Sequence, residues 1–220
     1  MASGVEMSIE AQEALVNAKR DSLVKKLNEA SWNDHMEKLM KMWGEKAAGL
    51  RFIHGASAGR WKGFSNRLTL IGISISAVSS AVSLVAASVD DEDTKNAILY
   101  GVGAVGLVSS LVQSIKKFYN AEEKAADHAA IAKQFGSFYR YMTLQLGMSR
   151  ADRLPSNQLS EWALKEYERL QQDAPPVAGK EIVLFRNTFK DSTQAVPDVC
   201  EEKFVIDVYS SSADANDDMD

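Results

Sequence analysis

Apolar residues are unevenly spaced along this chain and concentrate in two runs. From Leu68 to Val89, LTLIGISISAVSSAVSLVAASV, there is no charged residue, and a second uncharged run, NAILYGVGAVGLVSSLVQSI, extends from Asn96 to Ile115. Each holds about 20 residues, roughly 30 Å as a helix, which is the thickness of a bilayer's hydrocarbon core. Only DDEDTK, Asp90 to Lys95, separates them. Two spans and a short polar turn predict a transmembrane helical hairpin. The alternative is a buried hairpin in a soluble bundle, since both runs are rich in Ser, Ala and Gly. A bundle helix, however, carries a polar stripe with charges on it, and neither run carries one charge. Serine can also return its hydroxyl to the carbonyl of the preceding turn.

The flanking segments read as helices too. Residues 8–31 predict an amphipathic helix with Leu15, Leu23 and Leu27 among many Glu and Lys. Residues 32–54 continue helically, with Met36, Leu39, Trp43, Leu50 and Ile53 broadly on one side, and Gly44 and Gly49 weakening the centre. Gly55, Gly59 and Gly63 recur every fourth residue. They fit either close helix approach or a loop before the first span. After Ile115, Phe118, Ala121, Ala125, His128, Ala132, Phe135, Tyr139, Met142 and Leu146 step by threes and fours. That is a heptad seam, and it predicts one long helix from about 96 to 147 with Gly147 as its cap. A shorter helix is expected after Pro155, capped by Ser156 or Asn157 and stopped by Pro175-Pro176. Residues 179–190 favour a short helix over a strand. The fold expected is all-α, with the second hairpin helix extending into a cytosolic helical bundle. Its parts are an N-terminal cytosolic region (8–67), the hairpin (68–115), a C-terminal cytosolic region (116–190) and an acidic, disordered tail (191–220).

Charge sets the expected orientation. Arg51, Arg60, Lys62 and Arg67 precede the first span without an acid among them, and Lys116 and Lys117 follow the second. The turn holds Asp90, Asp91, Glu92 and Asp93 against Lys95. Basic flanks stay on the cytoplasmic side, so both termini are expected there. The basic cluster before the first span sets topology or binds anionic headgroups. The first 30 residues contain no apolar signal core, so the first span is expected to target the membrane itself. Residues 201–220 carry seven acids and one lysine, which predicts disorder or loose docking, with Phe204–Tyr209 as a docking patch. The formal net charge of −5 argues against a dedicated nucleic-acid binder. One cysteine, Cys200, excludes an internal disulfide framework and a cysteine-based zinc site.

A search for catalytic chemistry finds almost nothing. His35, His54 and His128 lack metal-ligand spacing, and Cys200 has no neighbouring histidine. His128, beside Asp127, reads as a packing histidine. The GxGxxG spelling at Gly101–Gly106 falls inside an uncharged run with no strand before it. No enzyme activity, cofactor or metal is expected. The informative residues lie in the runs themselves. Gly72, Ser76, Ser79, Ser80, Ser83 and Ala87 form one small, hydroxylated stripe; Gly103, Gly106, Ser110 and Ser114, with Gln113 nearby, form another. Such stripes let helices touch, or line a polar path in which hydroxyls replace part of an ion's hydration. Two helices in one chain cannot enclose a pore, so conduction would need a ring of subunits. In a ring, Asp90 to Asp93 would become an acidic mouth favouring inorganic cations, though such acids also suit a simple solvated turn.

The stretch WNDHMEKLMKMWGEKAAGLRFIHGASAGRWKGFSNRL, Trp32 to Leu68, then two short spans, then FYNAEEKAADHAAIAKQFGSFYRYMTLQLGMSRADR and EYERLQQDAPPV, resembles the SLATT family over roughly residues 30–190. The likeness is greatest to versions carried by large DNA viruses of algae and protists. Trp32, Trp43, Arg51, His54, Phe135, Phe138, Arg153 and Tyr167 match the family pattern. The resemblance implies two membrane helices followed by a cytosolic helical extension, and a pore-forming or membrane-perturbing effector gated by that extension. Trp43, Arg51 and His54 are expected to cluster on one helix side below the membrane. The leading expectation is a homo-oligomeric, ion-permeable membrane channel or pore. The second is a non-conducting membrane scaffold, of a virion or an intracellular membrane, using its cytosolic helices as a docking platform.

Overall fold

A computed structural model describes residues 9–201, and every regular element among them is helical. In chain order these are α1 (Ile9–Ser31), α2 (Asp34–Ala86), α3 (Glu92–Tyr119), α4 (Ala121–Gly147), α5 (Ser156–Asp173), α6 (Gly179–Thr188) and a 3-10 turn at Asp198–Cys200. The described residues divide into two compact units. The first takes the chain up to Arg51, Lys133–Asp173 and the residues from Phe185; the second takes Phe52–Ala132 and Ala174–Leu184. This division cuts across the expected regions, because α2, α4 and α6 each contribute to both units.

In the first unit, aromatic and aliphatic side chains of α2, α4 and α5 make the core. Met40, Ala47, Leu50, Phe135, Phe138, Met142, Leu159, Ala163 and Leu170 are buried. Trp43 stacks on Tyr167 at 6.3 Å, and Trp162 stacks on Phe138 at 5.5 Å. One corner ties four helix ends together. Trp32, 4% exposed between α1 and α2, donates its indole N–H to the Leu154 carbonyl at 2.9 Å. The Arg153 guanidinium lies 5.1 Å from the Trp32 ring. It donates to the carbonyls of Leu146 and Met148, which lack acceptable donors within α4 because the helix ends there. Arg153 also pairs with Glu37, as does Arg150. These two guanidiniums, Arg150 first, hold the Glu37 carboxyl down to about 2 despite the opposing effect of burial.

Gly44 and Gly49 serve this core rather than merely weakening the helix. A Cβ on Gly49 would collide with Pro197 Cγ and stand 3.1 Å from Phe185 Cε2; one on Gly44 would stand 3.3 Å from Met142 Cβ. The start of the acidic segment is therefore docked, not disordered. Pro197 and Cys200 are buried, Lys46 pairs with Asp198 and Glu201, and Glu45 accepts the Ala195 N–H. The patch at 204–209 lies outside the described residues.

In the second unit, α2 and α3 run side by side with the turn at one end. At the other end Phe64 meets Tyr119 edge to face at 5.7 Å, and Glu122 accepts from Ser65 and pairs with Lys116. The expected single helix over 96–147 is interrupted. Asn120 sits in the left-handed region at φ 47°, ψ 44°, and its N–H bonds the Lys117 carbonyl. Asparagine tolerates that conformation better than other non-glycine residues. The heptad spacing runs on across the break, which is why the pattern alone conceals it. Both α2 and the α3–α4 stretch are long and apolar enough to cross a membrane, and their most apolar 18-residue windows contain no buried residue.

Gly49→Ala is expected to lower stability. Overpacking against Pro197 costs about 1–3 kcal/mol, more than the roughly 1 kcal/mol that alanine gains in helix propensity. Thermal unfolding of the purified protein checks this; adding Pro197→Ala should restore part of the loss.

Candidate functional site

The acidic turn is built as a helix start. Asp91 is the N-cap of α3, its side chain accepting the Thr94 N–H at 2.9 Å, with the Thr94 hydroxyl donating to the same oxygen. Bonds from the Thr94 hydroxyl and backbone hold its carboxyl below the usual range. Glu92 and Asp93 occupy the first turn of α3, where the helix dipole favours negative charge. Asp90 to Asp93 are all exposed.

The two small-residue stripes meet different surroundings. Gly72, Ser76 and Ser80 of α2 face Val112, Gln113 and Lys116 of α3 across a cleft of about 480 Å³. Ser79 and Ser83 are half-buried, and the Ser79 hydroxyl is a buried group without a hydrogen-bond partner. On α3, Gly103, Gly106, Ser110, Gln113 and Ser114 are all exposed, and a Cβ on either glycine would touch nothing. Three of the other hydroxyls behave as the sequence predicts for serine in apolar surroundings. Ser80 donates to the Ser76 carbonyl, Ser83 to Ser79 and Ser114 to Ser110, at 2.8–2.9 Å. With the proton committed to the helix, each of these oxygens presents only lone pairs outward.

Trp43, Arg51 and His54 do not form one cluster. Trp43 and His54 lie 11 positions apart on one helix, roughly 16 Å along its axis. Trp43 stacks on Tyr167, and Arg51 packs its stem where Gly136 leaves room. His54 faces His128, with their Nδ1 atoms 2.9 Å apart and their side chains 1% and 3% exposed. Beside this pair, Arg60 forms an ion pair with Glu181, itself 3% exposed. Glu181 Oε2 and Ser57 Oγ are buried without hydrogen-bond partners.

This buried polar group was only partly visible in the sequence. His128 was readable as a seam residue, but its partner lies 74 positions away, and Glu181 comes from a segment whose apolar neighbours dominate its pattern. Two imidazoles in Nδ1-to-Nδ1 contact can share one proton between donor and acceptor, but a second proton sets two N–H groups against each other. Burial, then the facing His128, holds His54 down to about 4. Burial likewise lowers His128, with Arg60 acting in the same direction and Glu181 and Asp127 opposing. Among the described residues no group of three His, Cys, Asp or Glu is placed to hold a metal ion. Cys200 is buried, which raises its thiol. The arrangement offers packing, acceptor oxygens and a proton-sensitive contact rather than a nucleophile and its base.

A scan against protein-family models finds no matching family, and searches of curated proteins and of solved structures find no match.

The histidine pair predicts acid sensitivity in a defined window. His54 binds a proton more readily unfolded, near 6.5, than folded, so its contribution is present above that range and is lost as pH falls toward 4. Melting temperature should drop by about 5 °C or more between pH 7 and pH 4.5. In His54→Phe that slope should flatten, whatever the variant's stability at pH 7; an unchanged slope would assign the effect elsewhere.

Proposed function

We propose that this chain is an integral membrane protein that assembles with copies of itself into an ion-permeable channel or pore. The observation that carries the reading is the exposed face of α3. Gly103, Gly106, Ser110, Gln113 and Ser114 lie uncovered on a helix with no buried residue and an uncharged stretch of bilayer length. Lipid tails gain nothing from a small, hydroxyl-bearing face, whereas another helix or a water path does. Hydroxyls already committed to their own helix offer acceptor oxygens, which suit cations. The resemblance to the SLATT family supports the same reading.

In this reading both termini are cytoplasmic, the basic residues flanking the spans remain inside, and Asp90 to Asp93 form an outer acidic ring repeated in each subunit. The cytosolic helices control assembly or gating. A second reading, a non-conducting membrane scaffold, is favoured by the exposed Leu15, Leu23 and Leu27 of α1, which offer a docking face.

Purified full-length protein in a planar lipid bilayer should show discrete openings. Ser110→Leu should abolish them while oligomeric size is retained, and Asp90→Asn with Asp93→Asn should lower cation-over-anion selectivity. A silent bilayer with assembled protein would favour the scaffold.

A further inference from the structure

We infer that the groove at the base of the two apolar helices binds the phosphate of an anionic membrane phospholipid. The inference rests on the membrane reading above. The groove has a volume of about 810 Å³, and its walls include Gly59, Gly63, Trp61, Arg67, Ile115 and Tyr119. That volume falls within the usual range of ligand sites.

Position is the first argument. Arg67 is the last charged residue before the first uncharged run, and Ile115 is the last residue of the second. The groove therefore opens where the polar part of the second unit meets the apolar helices. Leu70, Ile71 and Leu111, exposed just beyond it, extend an apolar track for acyl chains. Trp61 and Tyr119 are the residue types that sit at headgroup level in a bilayer.

Space is the second argument. A Cβ on Gly59 or Gly63 would touch nothing within 4 Å. These helical glycines are not explained by close packing within the chain. They leave the groove floor open at a helix position where glycine costs about 1 kcal/mol relative to alanine.

Charge is the third, and it selects the lipid. Two arginines and no acid line the groove. Arg60 is spoken for by Glu181, but no carboxylate among the described residues pairs with Arg67, which is exposed. Lys62 and Lys117, within two residues of lining positions in the sequence, add further positive charge to this end of the apolar helices. A guanidinium binds phosphate in a two-pronged fashion. The cation of a zwitterionic headgroup would find no anion in the lining. The Trp61 ring offers it little either, since Arg60 and Lys124 already lie 4.9 and 4.7 Å from the ring centroid.

The test uses purified full-length protein in non-ionic detergent, titrated with phosphatidylglycerol or phosphatidylcholine, with bound lipid counted by native mass spectrometry. Phosphatidylglycerol should bind at least tenfold more tightly than phosphatidylcholine. Arg67→Gln should lose that preference, and Gly63→Leu should lose it too, with charge unchanged; Lys95→Gln, a basic residue at the turn at the opposite end of α2 and α3, should retain it. Equal binding of the two lipids, or unchanged preference in both Arg67→Gln and Gly63→Leu, would overturn the assignment. Full displacement by millimolar glycerol 3-phosphate would also overturn it, giving the site to a soluble phosphate. A Gly63→Leu protein that loses its oligomeric state but keeps its lipid preference would assign the groove to a second copy. Carbonate extraction of cell membranes separates the two layers of inference. Release of the chain into the wash would sink the membrane reading, whereas retention without lipid preference sinks the groove assignment alone.

Discussion

A helix can cover only one side of another helix. Two helices that are uncharged around their whole circumference therefore leave most of that surface open, however well they pair. In this protein α2 and α3 meet that geometry problem over stretches of about 20 uncharged residues, roughly 30 Å. Monomeric soluble proteins rarely leave so much contiguous apolar surface exposed. The remaining features of the second unit are consistent with surroundings other than water. Ser80, Ser83 and Ser114 bond their own helix, its charges gather at the two ends of the apolar stretch, and its glycines stand open rather than filled.

The base of the apolar helices is where charge reappears, and it does so under constraint. Arg60 and Glu181 are paired with Glu181 buried, Lys116 and Glu122 are paired at the α3–α4 break, and two histidines press their nitrogens together. Burying an ion pair contributes little net stability, because desolvation offsets the attraction. Such a group does make the local arrangement sensitive to a single added proton or a single lost partner. A break at Asn120 lies next to this group, between Lys116 and Glu122. The buried histidine contact on α4 and the backbone break at its start thus fall within the same unit.

The first unit is ordinary by comparison. An aromatic and aliphatic core is closed at one corner by Trp32 and Arg153, each using its polar end on carbonyls and its flat face on the other. The family-pattern residues Trp32, Trp43, Phe135, Phe138, Arg153 and Tyr167 all sit in this unit and pack or cap there. Of the matched residues, His54 lies in the second unit, where it meets His128.

Periodicity and charge by themselves determined the all-helical character, the two apolar stretches and the turn between them, because these depend on residues near one another in sequence. The helical choice for 179–188 and the return of serine hydroxyls to their own helix are local as well, and both were legible. What only the tertiary structure decided were the relations between distant segments. The pairing of His54 with His128 and of Arg60 with Glu181 spans 74 and 121 positions. The tight fit of Gly49 against Pro197 reverses the reading of that glycine from helix weakener to packing site. The turn at Asn120 is one residue in a heptad pattern that continues across it, so spacing cannot reveal it. Pairwise contacts of this kind are set by which faces the folded helices bring together, and a linear pattern records a face without recording what lies opposite.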